Sequence, residues 1–104
     1  MKILELLGGL DLPIAYDHFA EGESPEPPFI CYLYPESNHF AADGRVYFRK
    51  NVVHLELYTD FKDLNLENKV EAVLDEAGIF YNKSEVWIES EKLYEVLYRF
   101  EMEG

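Results

Sequence analysis

Three histidines, one cysteine and an excess of carboxylates are the side chains of this sequence that could do chemistry. A zinc or transition-metal site needs several His or Cys ligands brought together, usually at short spacing. His18, His39 and His54 lie far apart, and none has a second His or Cys at ligand spacing. Asp17 and Asp43 could each meet a histidine in space, as carboxylates can in any protein this acidic, so surface or partly buried histidines are the expectation. Cys31 would be a nucleophile if a histidine lay beside it. It sits instead inside Phe29-Ile-Cys-Tyr-Leu-Tyr34, the most apolar run in the chain, where cysteine behaves as a small hydrophobe. Acid–base chemistry would need two carboxylates desolvated and held together. The clusters Glu21/Glu23/Glu26, Asp75/Glu76, Glu89/Glu91 and Glu101/Glu103 fall in loop, helix-end or chain-end sequence, where solvated charge is expected. There is no Gly-x-Ser-x-Gly and no phosphate-cradling glycine loop; Gly8-Gly9 follows a helical stretch instead of opening one. The residues thus predict no catalytic, cofactor-binding or metal site, and enzyme is the least favoured class.

The aromatic residues carry a different signal. Tyrosine occurs 8 times and phenylalanine 7 times, and one run places Tyr32 and Tyr34 at one parity against Phe29 and Leu33 at the other. Tyrosine, with one polar edge, suits a surface that is alternately wet and buried, as in protein interfaces; a tyrosine-rich core edge is the other reading. Stacking on nucleic-acid bases would want basic neighbours, and only Arg45, Arg49 and Lys50 cluster. That trio fits better as an arm that steers an acidic neighbouring subunit.

The rest of the composition narrows the classes. The 104 residues and 12.2 kDa support one domain over 1–104, and 48% hydrophobic content supplies a core. A formal net charge of −12 opposes docking on a phosphate backbone or on anionic lipid. A single cysteine cannot close an internal disulfide. Residues Met1 to Leu10, with Glu5 and the Gly8-Gly9 break, make a poor signal peptide. No apolar run approaches the roughly 20 residues that span a bilayer. A soluble intracellular domain is expected.

Periodicity then predicts the elements that hold these residues. Ile3, Leu4 and Leu7 give a short N-terminal helix stopped at Gly8-Gly9. Ile14 to Phe19 alternates weakly, as a strand. The Pro-rich stretch 20–28 is loop. Phe29 to Tyr34 reads as a strand covered on both sides, and in so small a protein the second cover could be another subunit. Asp43-Gly44 signals a hairpin whose arms are Asn38, His39 and Phe40 on one side and Arg45 to Arg49 on the other. Val53, Leu55 and Leu57 share one face, with His54, Glu56 and Tyr58 on the other, and a bulge near Asn51 would reconcile their parity with Val46 and Phe48. Leu66, Val70, Val73, Leu74 and Ala77 form one stripe of a helix over residues 63–77, capped by Asp60 or Asp63 and ended by Gly78. Val86 to Ile88 and the alternating run from Tyr94 to Met102 complete an α+β fold. It is a mainly antiparallel sheet of about four to five strands, with one long helix packed on one face and a short N-terminal helix.

Several strings carry a resemblance. They are Leu12-Pro-Ile-Ala-Tyr-Asp-His-Phe19, Pro28-Phe-Ile-Cys-Tyr-Leu-Tyr34, Asn38-His-Phe-Ala-Ala-Asp-Gly44, Val53-His-Leu-Glu-Leu-Tyr-Thr-Asp60 with Lys62-Asp63, Lys69-Val-Glu-Ala-Val-Leu74 and Ser90-Glu-Lys-Leu-Tyr-Glu-Val96. Taken with the element order, they resemble small proteins encoded in tail-morphogenesis clusters of siphophages and prophages of Gram-positive bacteria. That group is similar to the phage tail terminator and head–tail joining proteins. The resemblance implies a homo-oligomeric ring, commonly six-fold, located in the virion tail or neck. It would cap the tail tube, meet the head connector and need no cofactor; its partners are the tail-tube and connector proteins, with no membrane and no sequence-specific nucleic-acid binding. It makes the hairpin over 38–50 the candidate arm, with Tyr32, Tyr34, Phe40, Asp43, Gly44, Arg45, Tyr47, Arg49 and Lys50 as interface candidates. The acidic charge would line a channel or outer wall. The rival from another class is an acidic DNA mimic that inhibits a nucleic-acid enzyme, its carboxylates standing in for phosphates.

Overall fold

The computed structural model describes residues 3–20, 22, 25–37, 40–42, 45–48 and 50–103, with Ser37, 40–42, 45–48 and Glu103 described as backbone alone. The chain begins with α1 (Ile3–Leu7), a 3-10 turn (Gly8–Leu10) and β1 (Ile14–Tyr16). Next come β2 (Phe29–Ser37), β3 (Phe40–Ala42), β4 (Arg45–Phe48) and β5 (Lys50–Thr59). It ends with α2 (Leu64–Glu76), β6 (Tyr81–Ile88) and β7 (Leu93–Glu103). The main sheet has five strands in the order β1-β2-β5-β7-β6, and β3 with β4 forms a separate two-stranded sheet.

The α+β class is as expected, but the sheet is mixed. Its β2–β5, β5–β7 and β6–β7 pairs are antiparallel, whereas β1 runs parallel to β2. A parallel neighbour needs a connection of about a dozen residues or more to return the chain to the same end. The Pro-rich stretch 17–28 supplies it. Hydrogen bonds from Ile30 N–H to the Pro13 carbonyl (2.9 Å) and from Asp17 N–H to the Tyr32 carbonyl (2.7 Å) extend that short edge at both ends.

The helix α2 also differs from expectation, being 13 residues and not long. At about 1.5 Å per residue it spans roughly 20 Å, while the 11 residues of β7 at about 3.3 Å each span roughly 36 Å. Asp63 caps it, its carboxylate accepting from the Leu66 N–H at 3.1 Å. At the other end Gly78 takes φ +72°, and the Ile79 N–H returns to the Leu74 carbonyl at 3.0 Å. Val70 and Leu74 are fully buried against Val53, Leu55 and Leu57 of β5 and Val96 and Tyr98 of β7, and Ile3 and Leu7 of α1 join the same core. A truncation such as Leu74→Ala in this layer would cost about 2–5 kcal/mol.

The expected bulge near Asn51 is not there, because β5 pairs with β7 without interruption from Lys50↔Glu103 to Thr59↔Tyr94. The irregularity falls in β2, between Leu33 (opposite His54) and Glu36 (opposite Val52). Pro35 lies in that interval and has no N–H to give the ladder. Val46 and Phe48 need no reconciliation with Val53, since their strand belongs to the other sheet.

Candidate functional site

Both helices pack on one face of the sheet. On the other face the register aligns Phe29, Cys31 and Leu33 of β2 with Tyr58, Glu56 and His54 of β5. The same three β5 residues stand opposite Glu95, Leu97 and Arg99 of β7. β2 is therefore apolar toward both faces, as its sequence predicts, with Ile30 and Tyr32 on the helix side. Phe29 is 9% exposed and Cys31 4%, and no described helix lies over them. Phe29 stacks on Tyr58 at 5.1 Å between ring centroids, and Phe19 meets Phe29 edge-on at 5.4 Å.

Carboxylates sit among these rings. The Tyr58 hydroxyl donates to Glu56 Oε1 at 3.3 Å. Burial raises the Glu56 carboxyl to about 7; its hydrogen bond and charge contact with Glu95 add to the rise, the Tyr58 hydroxyl opposes it, and Asp17 adds to it. At neutral pH this acid holds a large share of its proton. Burial, then Glu56, Asp17 and Glu95, push the Cys31 thiol up to about 11, which makes it an inert thiol in keeping with its apolar setting. Burial and the two glutamates likewise push Tyr58 above its ordinary range. At one end of this face a groove of about 320 Å³ runs between Phe29, Tyr58 and Leu93, with Asp17 and Glu91 at its edge.

The interface candidates read from sequence fall in three places. Tyr32 and Tyr34 come together with Tyr16 of β1: Tyr16 lies 5.2 Å from Tyr32 and 5.8 Å from Tyr34, and its hydroxyl accepts from the Tyr34 N–H at 3.1 Å. Tyr34 is 39% exposed and Tyr16 50%, so this edge cluster is half wet. Phe40, Arg45 and Tyr47 lie on the β3–β4 pair, whose register is Phe40↔Phe48, Ala41↔Val46 and Ala42↔Arg45. Lys50 opens β5 opposite Glu103. Asp43, Gly44 and Arg49 lie outside the described residues, as does His39. Of the other histidines, His18 donates through Nδ1 to Asp17 at 3.0 Å, and His54 is on the open sheet face.

Sequence reasoning missed a charge network on the helix side. Glu67 is 2% exposed, with Lys62 Nζ 2.7 Å from one carboxylate oxygen and Lys83 Nζ 2.8 Å from the other. The Lys83 contact is an ion pair by distance without the alignment of a hydrogen bond to Glu67. Lys83 also bonds Glu71 at 2.8 Å, Lys62 bonds Glu85, and the Tyr98 hydroxyl donates to Glu71 at 2.8 Å. Burial alone would raise Glu67 and Glu71, but the lysines, with Tyr98 and Tyr81 at Glu71, outweigh it and hold both below the usual carboxylate range. The missed signal is phase: Glu67, Val70 and Leu74 follow one another at helical spacing, so Glu67 had to point into the core face. Among the described residues no group of three His, Cys, Asp or Glu stands together as a metal site, and no helix is long and apolar enough to cross a membrane.

No protein-family model matches the chain, and comparison with curated proteins finds no match. Among solved structures it is similar to a chain described as "Virion of native gene transfer agent (GTA) particle", with a TM-score of 0.55 and 12% identity over 97% of this chain and 84% of that one. The likeness is one of fold.

Proposed function

We propose that this chain is a phage-type virion structural protein of the tail–neck region, which assembles as a ring that ends the tail tube and joins it to the head connector. The observation that carries the reading is the fold likeness, across 97% of the chain, to a component of a virion. The sheet face away from the helices supports it, since half-buried His54, Leu97 and Arg99 lie there with no described helix over them, where a neighbour could cover them. The role is non-enzymatic. An acidic DNA mimic would instead need ionised carboxylates on a continuous polar face. Here Glu56 retains much of its proton among aromatic rings, and Glu67 and Glu71 are neutralised by lysines.

Native mass spectrometry from low to high micromolar, alone and with the cognate tail-tube protein, tests the reading. A discrete closed oligomer is expected, alone or on the tube, and Arg45→Glu/Arg49→Glu should weaken it without unfolding the monomer. A chain that stays monomeric and ignores the tube at every concentration would remove the ring reading and favour the mimic.

A further inference from the structure

The groove at Phe29 and Tyr58 has two unlike components. Its wall is aromatic, built by the Phe19–Phe29–Tyr58 series of ring contacts. Its rim is acidic, with Asp17 and Glu91 exposed at the edge and Glu56 and Glu95 on the adjoining sheet face. Asp17 is held there by backbone geometry: it takes φ +64°, and the His18 N–H bonds the Tyr16 carbonyl at 2.7 Å, which turns residues 17–19 toward the groove. Aromatic faces with nearby carboxylates attract a guanidinium or an ammonium through the ring quadrupole and through charge. A cavity of about 320 Å³ suits one long side chain and sits at the lower end of the roughly 300–1,000 Å³ range of small-ligand pockets.

The chain's own basic residues indicate what fills it. Of the nine basic residues, Arg45, Arg49 and Lys50 form the densest cluster in the sequence. That segment enters β5 at Lys50, whereas the groove is built around Tyr58 at the other end of the same strand. Eight residues of strand separate Lys50 from Tyr58 by roughly 26 Å, so Lys50 does not reach the groove of its own chain. We infer that the aromatic, carboxylate-rimmed groove receives a basic side chain of segment 45–50 from a second copy of this chain. The inference rests on the ring reading and specifies its contact. Two unlike patches at opposite ends of one strand make a head-to-tail interface, and repetition of such a contact closes into a ring when the rotation allows.

Charge exchange tests it. The groove variant is Asp17→Asn/Glu91→Lys, asparagine being chosen because it tolerates the left-handed backbone at that position; the arm variant is Arg45→Glu/Arg49→Glu. Both are checked for retained fold by circular dichroism. Each alone should self-associate about tenfold or more weakly than the parent chain, and an equimolar mixture should recover assembly, because each then offers what the other lacks. In parallel, a synthetic peptide of residues 45–50 is titrated onto the arm variant at 50 and 500 mM salt, with NMR shifts followed at Phe29, Cys31 and Tyr58. Salt-sensitive shifts at those residues support the groove assignment even if the parent chain proves monomeric, in which case the ring reading fails alone. A groove variant that assembles like the parent, or a peptide that leaves the groove signals unmoved, overturns the assignment and leaves the ring standing if rings are seen.

Discussion

Replacing Glu56 by glutamine should stabilise the protein, and do so only above acidic pH. In the folded chain this carboxyl is raised from an ordinary 4.5 to about 7. The folded state therefore holds the proton more tightly than the unfolded chain does. The stability it contributes is fully present below pH 4.5 and is lost as pH rises through about 7. Each tenfold change in proton affinity corresponds to about 1.4 kcal/mol, which sets a ceiling of about 3 kcal/mol for a displacement of this size. Glu56 is half-buried and shares its site with Glu95, so solvent screening brings the expected effect to about 1–2 kcal/mol. Glutamine keeps the shape and hydrogen-bonding capacity of the protonated acid and never ionises. Thermal or urea unfolding of both proteins at pH 4.5, 6, 7 and 8, at a concentration where their assembly states match, gives the readout. The two curves should coincide near pH 4.5 and diverge until Glu56→Gln melts roughly 5–10 °C higher at pH 8. A constant gap across the whole pH range would refute the linkage, because simple packing gain carries no pH dependence.

On the helix side the signs reverse. Lys83→Met removes one of two cations from the buried Glu67 carboxylate, and because the lysine is itself partly exposed the expected loss is about 1–2 kcal/mol in urea unfolding at pH 7; unchanged stability would mean that Lys62 alone suffices. Glu67 and Glu71 are held below 4.5 in the folded chain, so their contribution is present above that value and should be lost as acid titration proceeds below it. A melting temperature that stays flat from pH 5 to pH 3 would contradict this. Asp63→Ala should cost about 1 kcal/mol through the lost cap at Leu66 N–H, read as a lower urea midpoint, with Asp63→Asn restoring most of it.

What the sequence disclosed was whatever depends on near neighbours. The stripe from Leu66 to Leu74, the cap at Asp63 and the alternation of Val53, Leu55 and Leu57 are all set within a few residues, and each appears in the structure close to its expected place. Pairings between distant segments were less visible. Ile14–Tyr16 is three residues long, too short for periodicity to state its direction, and its parallel alignment follows from the length of the loop after it. The site shows the same division. Glu56 could be placed off the core face from alternation, but its contact with Glu95 depends on a cross-strand register joining β5 to β7. The inward direction of Glu67 is legible from its phase with Val70, but the Lys83 that meets it comes from β6 and is brought there only by the fold.

The two borders of the main sheet are unequal. Among the described residues β6 offers eight residues of unshared backbone, whereas β1 offers three and then turns away at Asp17 into proline-rich chain. An open border can recruit further strands without limit when both sides are long and flat. A sheet with one generous border and one abbreviated one can accept a visiting strand but has little with which to pass the favour on. At high concentration this inequality would hold assemblies of the chain finite and away from fibrils.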